Sequence, residues 1–432
     1  MTNATCPARR LETSVERKRS APAITVFGPA IIVAAAGIGA SDIIAASVAG
    51  ARFGLALLWA VALGAALKGV LSEGIARWQV ASGTTLLQGV AKHLPPWVLV
   101  LFTAYLVVWT VGVSGALANG CGLAIENLSG GRVPRSWGAV SHVLVAAFVV
   151  RSGGLLAFTK AMKILIIAMF VTIVFCAVRS ASAPHVLVSG LLPSVPTGAG
   201  PFVLSVLGGI GGSVTLLTYN YLPQSQAPSL NRFASMRLDI AIAYAFTALF
   251  GMSILLIASR VFHDSGMPAT DHDIISRMAE MLGTKIGRAG FYIYSIGFWA
   301  AVVASLLGTW QTVPLLIAEC YSLIRRLPAD HRNITVSCGS VAYRTGLAAL
   351  TVAAVPFAFI ARPLALIVGY TIVASLIVPF ITAVLLYLNT RVQWAEPSRR
   401  NSWFINGVLI VALAFSVALG VREFGVVLGA WQ

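Results

Sequence analysis

The chain has 432 residues, of which 58% are hydrophobic and only 10% are charged. Its apolar runs repeatedly exceed the roughly 20 residues that cross a bilayer, which excludes a soluble globular domain and makes length a count of membrane spans. The formal charge of +16 is spread over many short loops, as the positive-inside rule requires, and this argues against nucleic acid as a partner.

Residues 1–23 are polar, with Arg9, Arg10, Arg17, Lys18 and Arg19, and the apolar stretch after them is too long for a signal-peptide core. A cytosolic basic tail is expected. Apolar segments follow at 26–50, 54–78, 97–123, 137–157, 161–179, 200–225, 238–262, 289–324, 345–361, 363–389 and 403–421, giving eleven expected spans. Threading them from a cytosolic N-terminus puts Arg151, Lys160, Lys163, Arg232, Arg237, Arg325 and Arg326 inside and leaves Arg52, Arg132, Arg135 and Arg179 outside. That bias predicts a multi-pass protein of the plasma (inner) membrane.

A glycine-serine signature occurs in two of these segments, as Gly37-Ile38-Gly39-Ala40-Ser41 in the first and Gly209-Ile210-Gly211-Gly212-Ser213 in the sixth. Each glycine costs a helix about 1 kcal/mol relative to alanine, so the clusters predict that both spans unwind at the membrane midplane. Unwound backbone survives there only where protein or an enclosed watery cavity satisfies it, and paired broken helices are how transporters build an ion site. The interruptions lie five spans apart. An odd offset turns one half over relative to the other, which predicts inverted repeats at 24–180 (spans 1–5) and 198–390 (spans 6–10), with 403–421 as an additional eleventh span.

The acidic residues Asp264, Asp271, Asp273 and Glu280 are expected in a solvated outer loop, where they could concentrate cations. Five cysteines, Cys6, Cys121, Cys176, Cys320 and Cys338, are scattered without a CxxC spacing. Neither a disulfide framework nor a zinc site is inferred.

Gly28-Pro29, then Ala49-Gly50-Ala51-Arg52-Phe53-Gly54, Leu57-Leu58-Trp59 and Ala81-Ser82-Gly83, together resemble the opening of the Nramp-type divalent-metal transporters. Weaker echoes continue through Arg232-Phe233, Asp239, Phe262-His263, Glu319 and Val378-Pro379-Phe380. The resemblance implies an all-α integral membrane protein of the leucine-transporter-type fold. It also implies a departure at the ion site. The family's first-span Asp-Pro-Gly-Asn falls on Gly39, Ala40, Ser41 and Asp42, its Met-Pro-His on Thr215, Leu216 and Leu217, and a tenth-span Gln on Thr371. Third-span acids of the family align with Gly115 and Ala118. Without the thioether the site should favour hard ions, and without the histidine and acids it loses the groups best suited to relay protons.

Asp42 is the sole acid of the first span, where a charge costs about 3 kcal/mol unless partnered or wetted. It is read as an ion ligand, as the cap of the helix resuming after the break, or as both. Gly39, Ser41, Gly212, Ser213 and Thr215 complete the expected ion-binding set, with Asp42 and Thr215 as metal ligands. The serines and threonines could equally bond their own helix. Thr218, Tyr219, Asn220, Gln311 and Thr371 are pathway candidates. Glu73 is another, or an ion-pair partner of Lys68, five residues earlier.

These readings point to a secondary active transporter working by alternating access. Its expected cargo is a small inorganic ion, a hard Mg²⁺-like divalent cation, moved without proton coupling of the family type. The alternative is a sodium-coupled carrier of a small anion such as bicarbonate, with Asp42 serving the coupling cation. Na⁺ or H⁺ is the expected coupling ion. Organic-solute transport or a non-transporting sensor is a further reading, whereas no enzyme motif assembles. No cofactor is expected, the lipid bilayer is the one extended partner, and the protein is expected to be a monomer.

Overall fold

The computed structural model describes residues 39–152, 155–180, 184–221, 233–266, 273–360, 362–391 and 401–427. Among them every regular element is helical. The order is α1 (Ala40–Phe53), α2 (Leu58–Ser82), α3 (Leu86–His93), α4 (Pro96–Leu128), α5 (Arg135–Ser152), α6 (Leu155–Arg179), α7 (Pro184–Gly190) and α8 (Gly200–Gly209). There follow α9 (Phe233–Ala258), α10 (Asp273–Ile286), α11 (Arg288–Ile324), α12 (Ala329–Thr335), α13 (Val341–Phe357), α14 (Pro363–Ser375), α15 (Ile377–Arg391) and α16 (Trp403–Val427). Helical segments lie within all eleven expected apolar stretches. Among the described residues seven are long and apolar enough to cross a membrane, and Ile164–Arg179 and Val341–Phe357 are shorter apolar helices.

Where these helices stop follows from local chemistry. Gly54, at φ 58°, ends α1 and opens a 3₁₀ turn, Gly54–Leu57, that leads into α2. The tenth apolar segment is divided between α14 and α15 at Leu376, because Pro379 has no N–H to offer the carbonyl of Ser375. Within α10 the buried positions are Ile274, Ile275, Met278, Ala279 and Leu282, an apolar stripe at helical spacing. The expected solvated acidic loop is therefore corrected: Asp273 opens a packed amphipathic helix that also carries Glu280, and Asp264 pairs with Arg260 at 2.7 Å. Asp271 lies outside the described residues.

The cysteine expectation also needs correcting. Cys338 is disulfide-bonded, while Cys121, Cys176 and Cys320 are free and buried. Cys6 lies outside the described residues. Scattered spacing carries no pairing information, so the sequence could not reveal the bridge.

At the centre, α1 packs against α8, α9 and α14, and α8 packs against α1, α2 and α14. Small residues allow the close approach. A Cβ on Gly208 would overlap the carbonyl oxygen of Thr371, so backbone lies directly on backbone where α8 meets α14. Lipid is as apolar as leucine, so such helices are held by close packing and internal polar bonds more than by hydrophobic exclusion. On the periphery, α16 presents Trp403, Phe404, Ile410, Val411, Val417 and Val421 outward, as a helix bathed in lipid would.

Candidate functional site

The second interruption is fully described. Helix α8 ends at Gly209, Gly211 and Gly212 take φ values of 74° and 79°, and the chain resumes as a 3₁₀ helix, Val214–Tyr221. Side chains larger than hydrogen rarely adopt such φ values, so these glycines let the helix break. The restart in 3₁₀ rather than α form was not expected.

Of the first interruption, the restart is described. Gly39 is extended, with φ −125° and ψ −177°, and α1 begins at Ala40. Gly37 and Ile38 lie outside the described residues.

Breaking α8 strands backbone groups that a continuous helix would pair at i and i+4. The N–H of Gly211, which would have bonded the carbonyl of Leu207, instead donates to Asp42 Oδ1 at 2.6 Å. The carbonyl of Gly208, which would have bonded Gly212, instead accepts from Lys68 Nζ at 2.8 Å. Asp42 Oδ2 also accepts from the N–H of Gly39 at 2.7 Å, the reach-back of an acidic side chain in the first turn that caps a helix N-terminus. One carboxylate thus joins the start of α1 to the break after α8, and one ammonium closes the C-terminal end of α8. Both signs suit the helix ends they face.

Asp42 is 1% exposed and Lys68 is fully buried. Their charges interact without a direct ion pair, since the ion pairs seen among the described residues involve Glu73 and Asp264 instead. A charge at this depth persists only with such partners.

Oxygen atoms surround the pair. Ser41 Oγ reaches the carbonyl of Gly209 at 3.5 Å, the outer limit of a hydrogen bond. Ser213 Oγ accepts from Trp109 Nε1 at 3.1 Å. The hydroxyl of Thr215 folds over Gly212, 2.6 Å from where a Cβ on that glycine would stand. Ser305 Oγ on α11 lies 2.5 Å from the corresponding point on Gly39. Tyr244 bonds Ser72 at 2.8 Å and reaches the carbonyl of Gly211 at 3.4 Å. Among the described residues no group of three or more His, Cys, Asp or Glu is assembled, so an ion here would meet one carboxylate, hydroxyls and carbonyls.

The structure therefore brings together Gly39, Ser41, Asp42, Gly212, Ser213 and Thr215. Thr371 lies one layer out, bonded to Ser205 at 2.6 Å and packed against Gly209. Gln311 is partly exposed further along α11 than Ser305. Thr218, Tyr219 and Asn220 belong to the 3₁₀ helix, and their side chains lie outside the described residues.

Glu73 stands apart from this cluster, paired with Arg77 and, at 3.3 Å, with Arg237. The anticipated Lys68–Glu73 pair does not form, because five residues along a helix do not bring side chains together whereas the four between Glu73 and Arg77 do. Lys68, Ser305, Tyr244 and Trp109 were missed as site residues. For Lys68 the signal was present: it is the one lysine inside the second apolar segment. Buried Glu319 ties α3 to α11, accepting from Thr85 Oγ1 at 2.7 Å and from Gln88 Nε2 at 3.1 Å.

A profile of the natural resistance-associated macrophage protein-like (Nramp) family matches residues 30–424. The divalent metal cation transporter MntH of Chromohalobacter salexigens is 28% identical over 305 residues, covering 65% of this chain and 68% of that protein. A manganese transporter of Eremococcus coleocola superposes with a TM-score of 0.67 at 15% identity, covering 92% of this chain and 85% of its own. Mhp1, a nucleobase-cation-symport-1 family transporter, superposes with a TM-score of 0.54 at 13% identity, covering 93% and 92% of the two chains.

Proposed function

Because the chain belongs to the Nramp family, we propose that it is a secondary active transporter that carries a hard divalent cation, Mg²⁺-like in its chemistry, by alternating access. The observation that carries this reading is the carboxylate of Asp42, buried between the start of α1 and the break after α8 and hydrogen-bonded to both. Oxygen ligands alone suit Mg²⁺ or Ca²⁺ better than metals that prefer sulfur or imidazole. The relative from Chromohalobacter salexigens is named a divalent metal cation transporter, which supports cation cargo. Positions 215 to 217 hold Thr-Leu-Leu, so a proton relay built on an intramembrane histidine has no residue there to run on.

We read 24–180 and 198–390 as the two inverted repeats that rock against each other, and the N-terminus as cytosolic at the plasma membrane. Gradient energy drives the cycle, with Na⁺ as a candidate coupling ion. The test is uptake of Mg²⁺ and of Mn²⁺ into proteoliposomes. Flux that disappears in Asp42→Ala supports the reading, and absence of divalent flux in the wild type contradicts it.

The buried ammonium of Lys68 favours a second reading. A fixed positive charge beside the breaks is a group that could hold a small anion such as bicarbonate, with Asp42 serving a sodium ion. Sodium-dependent anion uptake that ignores divalent metals would select it.

A further inference from the structure

Among the described residues, Lys68 is the one charged group besides Asp42 bonded to the backbone at the break after α8. Its ammonium is fully buried, reaches the orphan carbonyl of Gly208 at 2.8 Å, and lies in electrostatic contact with Asp42. Its stem also passes Gly211, with Cδ 3.6 Å from where a Cβ on that glycine would stand. A carboxylate and an ammonium leave the site close to neutral. A divalent cation arriving beside Asp42 would then raise the local charge to about +2 inside a membrane, where little solvent screens it.

We infer that Lys68 is a tethered competitor for the cargo: its ammonium shares the field of Asp42 with the transported divalent cation and sets the site's affinity low. This inference rests on the divalent-cation reading above and deepens it. A weak site suits a cation that is abundant, and it fills little at the low concentrations at which trace metals occur. When cargo binds, the ammonium moves away from Asp42 while staying on the carbonyl end of α8, where the helix dipole still favours a positive charge.

The sign of one substitution separates this role from a purely structural cap. Losing a cap should weaken the site, whereas losing a competitor should tighten it. Lys68→Gln keeps an N–H donor for the Gly208 carbonyl and removes the charge. Lys68→Met keeps the stem and removes both. With full-length protein in proteoliposomes, the apparent KM for Mg²⁺ is expected to fall roughly tenfold or more in both variants. In detergent, the concentration of Mn²⁺ that raises the melting temperature should fall in parallel. An unchanged or higher KM in Lys68→Gln, with wild-type flux intact, overturns the inference and leaves the transport reading standing. Tighter Mn²⁺ binding by the variants without divalent flux in any form supports the competitor role and removes the transport reading. Neither flux nor metal binding in any form removes both. Failure of both variants to fold marks Lys68 as a structural cap and overturns the inference.

Discussion

Asp42 and Gly211 lie 169 positions apart in the chain and are joined by a hydrogen bond of 2.6 Å, from the N–H of Gly211 to Oδ1 of Asp42. The same carboxylate accepts from Gly39. It therefore ties the N-terminal end of α1 to the break that follows α8.

Removing that carboxylate should cost stability as well as flux. Asp42→Ala leaves the N–H groups of Gly39 and Gly211 buried without an acceptor, at about 1–3 kcal/mol each. Asp42→Asn retains one acceptor oxygen and should melt closer to the wild type while still losing most transport. Paired melting curves and uptake assays check both statements.

Close approach of α8 and α14 makes Gly208 intolerant of any side chain. Gly208→Ala would push a methyl group into the carbonyl of Thr371 and the amide of Ser375, an overpacking worth about 1–3 kcal/mol. Gly211→Ala, at a residue with φ 74°, should also destabilise, through backbone strain. Thermal unfolding in detergent should rank both below Gly308→Ala, where a Cβ meets nothing within 4 Å.

Much of this arrangement was legible in the sequence because the physics is local. Glycine pairs in apolar segments mark helix breaks, and a lone acid in such a segment demands a partner, so Gly39, Asp42, Gly212 and Ser213 could be found by inspection. The missing parts depend on distant packing. Nothing local says that Ser305 of α11 faces Gly39, or that Trp109 of α4 reaches Ser213. Lys68 is visible as the one lysine of the second segment, but the five-residue step to Glu73 does not bring side chains together on a helix, whereas the four-residue step from Glu73 to Arg77 does. The amphipathic stripe of α10 is likewise written in the sequence, at Ile274, Ile275, Met278, Ala279 and Leu282.

Glu73 tests the same spacing rule. Its two guanidinium partners, Arg77 and Arg237, point to an ion pair that fixes α2 against α9. Glu73→Gln removes the negative charge facing the largely buried Arg77, which also donates to the neutral Asn401 Oδ1 at 2.9 Å, so the melting temperature should drop. Uptake per folded molecule should stay near wild type. Lost flux with an unchanged melting temperature would instead place Glu73 on the pathway.

Selectivity follows from the ligand types. With no thioether or imidazole at positions 215–217, Mn²⁺ should gain little over Mg²⁺. Competition of unlabelled Mg²⁺ against labelled Mn²⁺ uptake measures this, and comparable inhibition constants for the two ions are expected. Threonine at position 215 can be changed to Met to reintroduce sulfur, and Thr215→Met should shift the preference towards Mn²⁺.

The most direct measurement is a high-resolution structure of the full-length protein with Mg²⁺ bound. A cation coordinated by about six oxygens near 2.1 Å, one of them from Asp42 and others from the chain around Gly39 and Gly212, is the expected result. A cation bound away from both interruptions, or a planar anion held by Lys68, would contradict the assignment of this site to divalent cargo.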